Sequence, residues 1–281
     1  MSRRAVLGGA ILLLWVAGLA LLVRREYFRP AAERLAMAGL LVSPGATYFR
    51  VERDGRHVGF ASSTIDTSAR EIRIDDRLAA EGASGARVEV QAGARLTRAL
   101  APRSFHLGVE GTPLPLRLEA RVVSDSALSV RVSSAGEAAE PQRVPTSGRA
   151  YPPTAVPLLV ALGEQRRVGG RLAVTLFDPS VMAARPVVLR VLAESLFTVS
   201  DSAELDVAAD RWVSVHTDTV RAWHVVPEGE ATPLAGWVDA QGRLVEARYP
   251  GGYVLRRTSY EEAAENWRRG RAEAESGRDN D

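Results

Sequence analysis

The chain has 281 residues, 25% of them charged, with a formal net charge of +2. That length accommodates one large domain or two small ones with a sizeable core. Cysteine is absent, which excludes disulfides, thiolate metal sites, a cysteine nucleophile and a lipid-modified cysteine, and lysine is absent too, so all 36 basic residues are arginine.

The stretch 5–23, from Ala5 to Val23, carries no charged side chain. At about 1.5 Å per residue it matches a hydrocarbon core roughly 30 Å thick, and it reads as a single transmembrane helix behind a short cytoplasmic head at 1–4. Arg3 and Arg4 precede it, while Arg24, Arg25 and Arg29 follow it, so the charge bias across the span is weak. Long domains translocate largely regardless of such charges. The signal-anchor reading therefore expects a single-pass protein of the inner (cytoplasmic) membrane with its main domain extracytoplasmic. Cleavage after Gly18-Leu19-Ala20 competes with retention, but Leu21-Leu22-Val23 continue the apolar run past that site. A juxtamembrane stalk is expected over 24–45. Its helical spacing (Ala31, Leu35, Ala38, Leu41) stops at Ser43-Pro44-Gly45, and its mostly alanine face suits a plain stalk better than a helix lying on the membrane.

At Ala46 the period changes from helical to alternating. Asp54-Gly55 between two alternating runs signals a β-hairpin. Further strands are expected at 71–80, 86–100, 104–110, 114–123 and 127–133, and turns this short join only antiparallel neighbours. In the run 116–123, Leu116, Leu118, Ala120 and Val122 fall on one face, with Arg117, Glu119 and Arg121 on the other. An almost uncharged segment at 152–163 reads as a short helix opened by Thr154, with Pro157 in its first turn. Such a helix has to be buried, most simply against the apolar face of the sheet. Strands at 171–177, 187–191, 195–199, 212–216, 220–226, 236–239, 243–249 and 253–257 form a second meander. Ser259-x-x-Glu262 is a capping box for a closing helix with Tyr260, Ala263, Ala264 and Trp267 on one face. The residues 270–281 have almost no apolar content and read as a disordered tail. The expected fold is therefore mainly β: an antiparallel curved sheet or half-barrel over 46–269 with two packed short helices. Whether the sheet is continuous or split near 134–170 is open.

Catalytic and metal-binding signatures are missing. His57, His106, His216 and His224 are scattered without the spacing of a helical metal motif, and no nucleophile elbow, phosphate loop or dinucleotide fingerprint occurs. Asp75 and Asp76 are adjacent in a strand and point to opposite faces, which argues against a shared proton. Asp178, before Pro179, reads as a turn residue without a partner base. Trp212, Trp223 and Trp237 read as core residues rather than a recognition surface. No basic stripe with interleaved aromatics suggests nucleic acid. No catalytic residue, metal or cofactor is expected.

The anchor, a meander opening with Tyr48, Asp54-Gly55 and Gly59-Phe60, a Phe177-Asp178-Pro179 turn, and a close through Trp237-Val238-Asp239, Gly242-Arg243-Leu244-Val245 and Arg257-Thr258 resemble a group of uncharacterised single-pass bacterial envelope proteins. More distantly the pattern is similar to the lipoprotein-carrier type of half-barrel, in which a curved antiparallel sheet wraps an apolar helix. The resemblance covers 46–267. It implies an extracytoplasmic position and binding of an acyl chain or lipoprotein, and no catalytic residue transfers with it. The expected function is non-catalytic binding of a hydrophobic ligand or lipoprotein in a trough lined by Leu116, Leu118 and Val122 of the sheet and Val156, Leu159, Val160 and Leu162 of the helix. A scaffold or adaptor subunit of an envelope complex, with a filled core, is the alternative. An apolar cavity of about 300 Å³ or more would favour the first.

Overall fold

The structure, a computed structural model, describes residues 39–82, 85–112, 115–134, 137–163, 166–229 and 235–278. The expected head, the membrane span at 5–23 and most of the stalk lie outside them. No helix among the described residues is long and apolar enough to cross a membrane.

Seven strands open the domain as an antiparallel meander: β1 (Gly45–Arg53), β2 (Arg56–Thr67), β3 (Glu71–Glu81), β4 (Arg87–Thr97), β5 (Pro102–Glu110), β6 (Leu116–Ser124) and β7 (Ala127–Ser134). Asp54 and Gly55 both take positive φ, 52° and 78°. That is the type I′ signature, whose twist matches the flanking strands. Arg53 pairs with Arg56 across the turn. Two short strands, β8 (Glu137–Ala138) and β9 (Gln142–Pro145), each pair with β7. Strand β10 (Ala150–Tyr151) leads through a 3₁₀ turn at Pro153–Ala155 into helix α1 (Val156–Leu162), and the chain returns as β11 (Arg171–Asp178), parallel to β10. A crossover of this length is what a parallel pair requires.

The second meander runs through β12 (Ala183–Asp206), β13 (Arg211–Pro227), β14 (Gly236–Asp239), β15 (Leu244–Tyr249) and β16 (Tyr253–Thr258). β16 pairs with β1, Tyr48 opposite Thr258 and Arg53 opposite Tyr253, so both meanders form one continuous sheet. The strand order runs from β10 to β8 without closing. The sheet nevertheless curls until its walls meet through their side chains: Phe177 of β11 packs on Phe105 of β5 with ring centroids 5.2 Å apart.

Four expectations need correction. The separate strands at 187–191 and 195–199 are one strand, β12, and those at 212–216 and 220–226 are one strand, β13. The apparent breaks are bulges, with register shifts between Val191 and Ala193 and around Ser202. Thr154 does not cap α1: the Pro152-Pro153 pair starts a 3₁₀ turn, closed by Ala155 N–H donating to Pro152 O at 3.1 Å, and the helix begins without a side-chain cap. The tail expected from 270 is helical to Arg278, because Ala, Glu and Arg around it are good helix formers and one Gly costs only about 1 kcal/mol.

Helix α1 is held by burial. Its seven residues have no cap and would be marginal alone, but Val156, Leu158, Leu159, Val160 and Ala161 are all buried, worth roughly 1.5–3 kcal/mol for each large side chain. Leu158 and Leu159 join a core built from β3–β7, while Val156, Val160 and Ala161 join one built from β11–β14. The helix is wedged inside the curl. The β14–β15 turn pins it there: Asp239 Oδ1 accepts from Gln241 N–H and Arg243 N–H at 2.8 and 2.9 Å. Gly242 has φ +77°, and a Cβ at that position would stand 2.9 Å from the Leu158 Cα.

The second helix lies outside. One half of the capping box forms, with Glu262 N–H donating to Ser259 Oγ at 3.2 Å, while Glu262 Oε2 accepts from the Thr258 and Ser259 hydroxyls. A π-helical turn (Glu261–Glu265) follows, then α2 (Asn266–Arg278). Trp267 packs on Phe60 and Tyr260 on Tyr48, on the outward faces of β2 and β1. Beyond its bulge the β12–β13 hairpin forms an arm over the same surface: Phe197 packs on Trp237, and Asn266 exchanges two hydrogen bonds with the Trp212 backbone at 2.7 and 2.8 Å.

Candidate functional site

Inside the curl, α1 separates two unlike spaces. On one side the inward rows of β4–β7 carry Leu96, Phe105, Leu118, Leu128 and Val130, which fill the interior together with Leu159 and with Leu158 and Phe177, the last two also bordering the cavity. On the other side several inward positions are small, Ala61 and Ser63 of β2, Ala92 of β4, Gly236 of β14 and Ala247 of β15 among them. They leave a cavity of about 630 Å³, walled also by Phe49, Ile74, Leu78, Val156, Val238 and Leu255. The volume falls within the roughly 300–1,000 Å³ of small-molecule sites, and a mostly apolar wall with a few polar groups is their usual composition.

The polar groups are placed by strand register. Ser63, Asp76 and Ala92 are opposite one another on β2, β3 and β4, and all three line the cavity. Within β3 the inward row reads Ile72, Ile74, Asp76, Leu78, Ala80, so Asp76 is an acid in an otherwise apolar row. Asp75 falls in the opposite row, as the pleat requires. Burial pushes the Asp76 carboxyl up to about 6, against a hydrogen bond from Ser63 and with a smaller contribution from the Asp75 charge. The surface Asp76 keeps is cavity wall, and its Oδ1 has neither solvent nor a hydrogen-bond partner. Thr154 Oγ1, on the segment entering α1, is likewise enclosed and unpartnered. Tyr249 of β15 is 37% exposed and lines the cavity; the surrounding protein, followed by the Asp76 charge, pushes its hydroxyl up to about 12.

The turn after β11 and the start of β12 frame the mouth, where Ser180, Arg77 and Arg185 are exposed. Asp178 accepts from Ser180 N–H and Oγ at 3.0 and 2.6 Å and from Arg185 Nη2 at 2.8 Å. Burial pushes its carboxyl up, and these partners outweigh that and hold it below the usual carboxylate range. Asp178 is thus satisfied, whereas Asp76 is not.

Of the residues expected to line a trough, Val156 lines the cavity. Leu118 and Leu159 belong to the filled side, with Val122 and Leu162 packed against it. Val160 borders a recess of about 10 Å³ on the far side of α1, room for no more than a water molecule. Leu116 is half-buried at the start of β6, opposite Val109. The three tryptophans are apart. Trp223 is buried in the core and donates Nε1–H to Glu194 Oε2 at 3.1 Å, Trp237 is sandwiched between Phe197 and His224, and Trp212 is on the arm.

No histidine lines the cavity. His57 lies on the outer face beneath the closing helix; burial, then the Arg50 charge, pushes it down to about 4. Strand pairing brings His216 beside Asp201 and Asp218 on the arm, with Nδ1 2.7 Å from Asp201 Oδ1 and ligand atoms of the three within 4.8 Å. Their sequence separation hid this group. All three side chains are exposed, and the geometry is that of a surface ion pair in which the Asp201 hydrogen bond and charge hold the imidazole pKa up.

No protein-family model matches the sequence, and no curated protein matches it. Among solved structures, the fold is similar to a β-barrel-like protein of the domain of unknown function DUF1849 from Brucella abortus, at 15% identity and a TM-score of 0.49, covering 78% of this chain and 97% of that one. It is also similar to a DUF1089 family protein from Pseudomonas aeruginosa, at 13% identity and a TM-score of 0.38, covering 68% of this chain and 90% of that one.

Proposed function

We propose that this domain is a non-catalytic binder of a hydrophobic ligand, an acyl chain or the lipid part of a lipoprotein, held in the cavity beside α1. The observation that carries the reading is the mostly apolar cavity of about 630 Å³ beside a cluster of large buried side chains. Empty apolar volume costs stability in proportion to its size, so a void of this extent is best accounted for by an occupant. The hydrophobic stretch from Ala5 to Val23 supports a tether to the inner membrane, with the binding domain outside the cytoplasm, where acyl chains need shielding from water. Organic extraction and mass spectrometry of the purified full chain, exchanged out of detergent, tests the proposal. The expected result is an apolar molecule in near-stoichiometric amount from the wild type and its loss in Ala247→Phe, whose ring would occupy the cavity. Repeated wild-type preparations without such a molecule, or equal recovery from both proteins, would contradict it.

A second reading, an adaptor subunit of an envelope complex, is favoured by the arm, where Leu196, Val207 and Val215 are exposed at 64%, 81% and 53%. Replacing all three by Ser would weaken such an association while leaving ligand recovery unchanged; an unchanged association would count against it.

A further inference from the structure

We propose that the cavity selects amphipathic ligands with a cationic, hydrogen-bond-donating head, an alkylamine being the simplest, and that this head meets Asp76. The inference rests on the cavity binding an apolar ligand at all, as proposed above, and adds the chemistry of the head group.

Asp76 is costly where it stands. An apolar side chain between Ile74 and Leu78 would pack without penalty, whereas an enclosed carboxylate with an unmade hydrogen bond loses stability. Buried polar atoms without partners are few in native proteins, and each calls for a partner absent from the protein itself. Here two such atoms, Asp76 Oδ1 and Thr154 Oγ1, belong to residues that line the same cavity. Rotation about the Asp76 Cβ–Cγ bond, which is broad and two-fold, exchanges its two oxygens and brings either to the cavity side.

The charges around Asp76 decide which head fits. Asp75 is on the opposite face of the same strand, Asp178 is taken up by Ser180 and Arg185, and Arg77 is exposed at the mouth. From β15 the Tyr249 hydroxyl remains neutral up to about pH 12. None of these neutralises Asp76. A second carboxylate in the cavity would set like charges together in a low-dielectric volume. An alcohol supplies one donor and no charge. An ammonium supplies three donors and balances the carboxylate.

The test is calorimetric titration of the full chain with dodecylamine, dodecanol and dodecanoic acid at neutral pH, repeated at about pH 5, in the wild type, Asp76→Asn and Ala247→Phe. Dodecylamine is expected to bind the wild type about tenfold or more tighter than dodecanol at neutral pH, with the advantage lost in Asp76→Asn. Because Asp76 takes up a proton below about 6, the advantage should also shrink at about pH 5 in the wild type, a readout that needs no variant to fold. Ala247→Phe should abolish binding of all three, separating the cavity from the exposed carboxylates. Equal affinity for the amine and the alcohol, or tighter binding of the acid, with Ala247→Phe still blocking, would overturn the amine inference and leave the cavity reading intact. Failure of all three probes to bind would overturn both.

Discussion

The two sides of α1 are built by the same device and differ in one respect. Both are inward rows of an alternating antiparallel sheet, continuous from β14 through β16 and β1 to β7. Where those rows carry Leu96, Phe105, Leu118 and Leu128, the interior is full; where they carry Ala61, Ser63, Ala92 and Ala247, it is hollow. The cavity lies within a sheet that curls without closing. It arises from side-chain size at a handful of positions, with α1 as the partition and the Asp239–Gly242 turn as the pin that holds it.

The largest effect should come from cutting into the full side. Phe105 is 5% exposed and packs on Phe177, so Phe105→Ala should cost about 3–5 kcal/mol in chemical denaturation. Leu78, on the hollow side, already borders empty volume, and Leu78→Ala should cost no more than about 2 kcal/mol. Equal losses would erase the distinction between the sides.

Next in size is the charge on the hollow side. The folded-state pKa of Asp76 is raised from 3.8 to about 6. The stability this residue contributes is therefore fully present below the lower value and lost as pH rises through the upper one, leaving the protein roughly 2–3 kcal/mol worse off at neutral pH. Asp76→Asn should recover much of that at neutral pH and little at about pH 4. His57 works the other way. Its folded-state pKa is lowered from 6.5 to about 4, so its contribution is present above the upper value and lost as pH falls toward the lower. Stability measured from neutral pH down to about pH 4 should hence be flatter in the wild type than in Asp76→Asn, where the His57 loss is no longer offset. A variant no more stable than the wild type at neutral pH would refute the buried, unpaired carboxylate.

The smallest effect discriminates by sign of packing. Ala120 is 1% exposed within the full side, and Ala120→Leu should destabilise by about 1–3 kcal/mol through overpacking. Ala92 faces the cavity, and Ala92→Leu should remain within about 1 kcal/mol of the wild type. Thermal unfolding of the two variants side by side reads this directly.

Local devices were legible in the sequence because they depend on near neighbours. The Asp54-Gly55 hairpin, the Ser259–Glu262 capping box, the buried character of α1 and the inward faces of β6 all follow from spacing alone. The joining of β16 to β1 did not, since about 200 residues separate the pair (Tyr253 and Arg53) and nothing local encodes it. Nor did the cavity. Large apolar residues such as Leu118 and Leu159 read as its lining, but large residues occupy space, and the small ones that border the hollow are dispersed over four strands, β2, β4, β14 and β15. One signal was available: an acid at Asp76 in the inward phase of an alternating strand, between Ile74 and Leu78. Its opposition to Asp75 was legible, whereas the empty volume it faces depends on the packing of distant strands.

Ligand-dependent stability tests the central claim, that the hollow side is a binding site, most directly. The unfolding midpoint of the full chain should rise with added dodecanol, as mass action requires of anything that binds only the folded state, and should not move in Ala247→Phe. A midpoint unaffected in the wild type, or raised equally in both, would contradict the account.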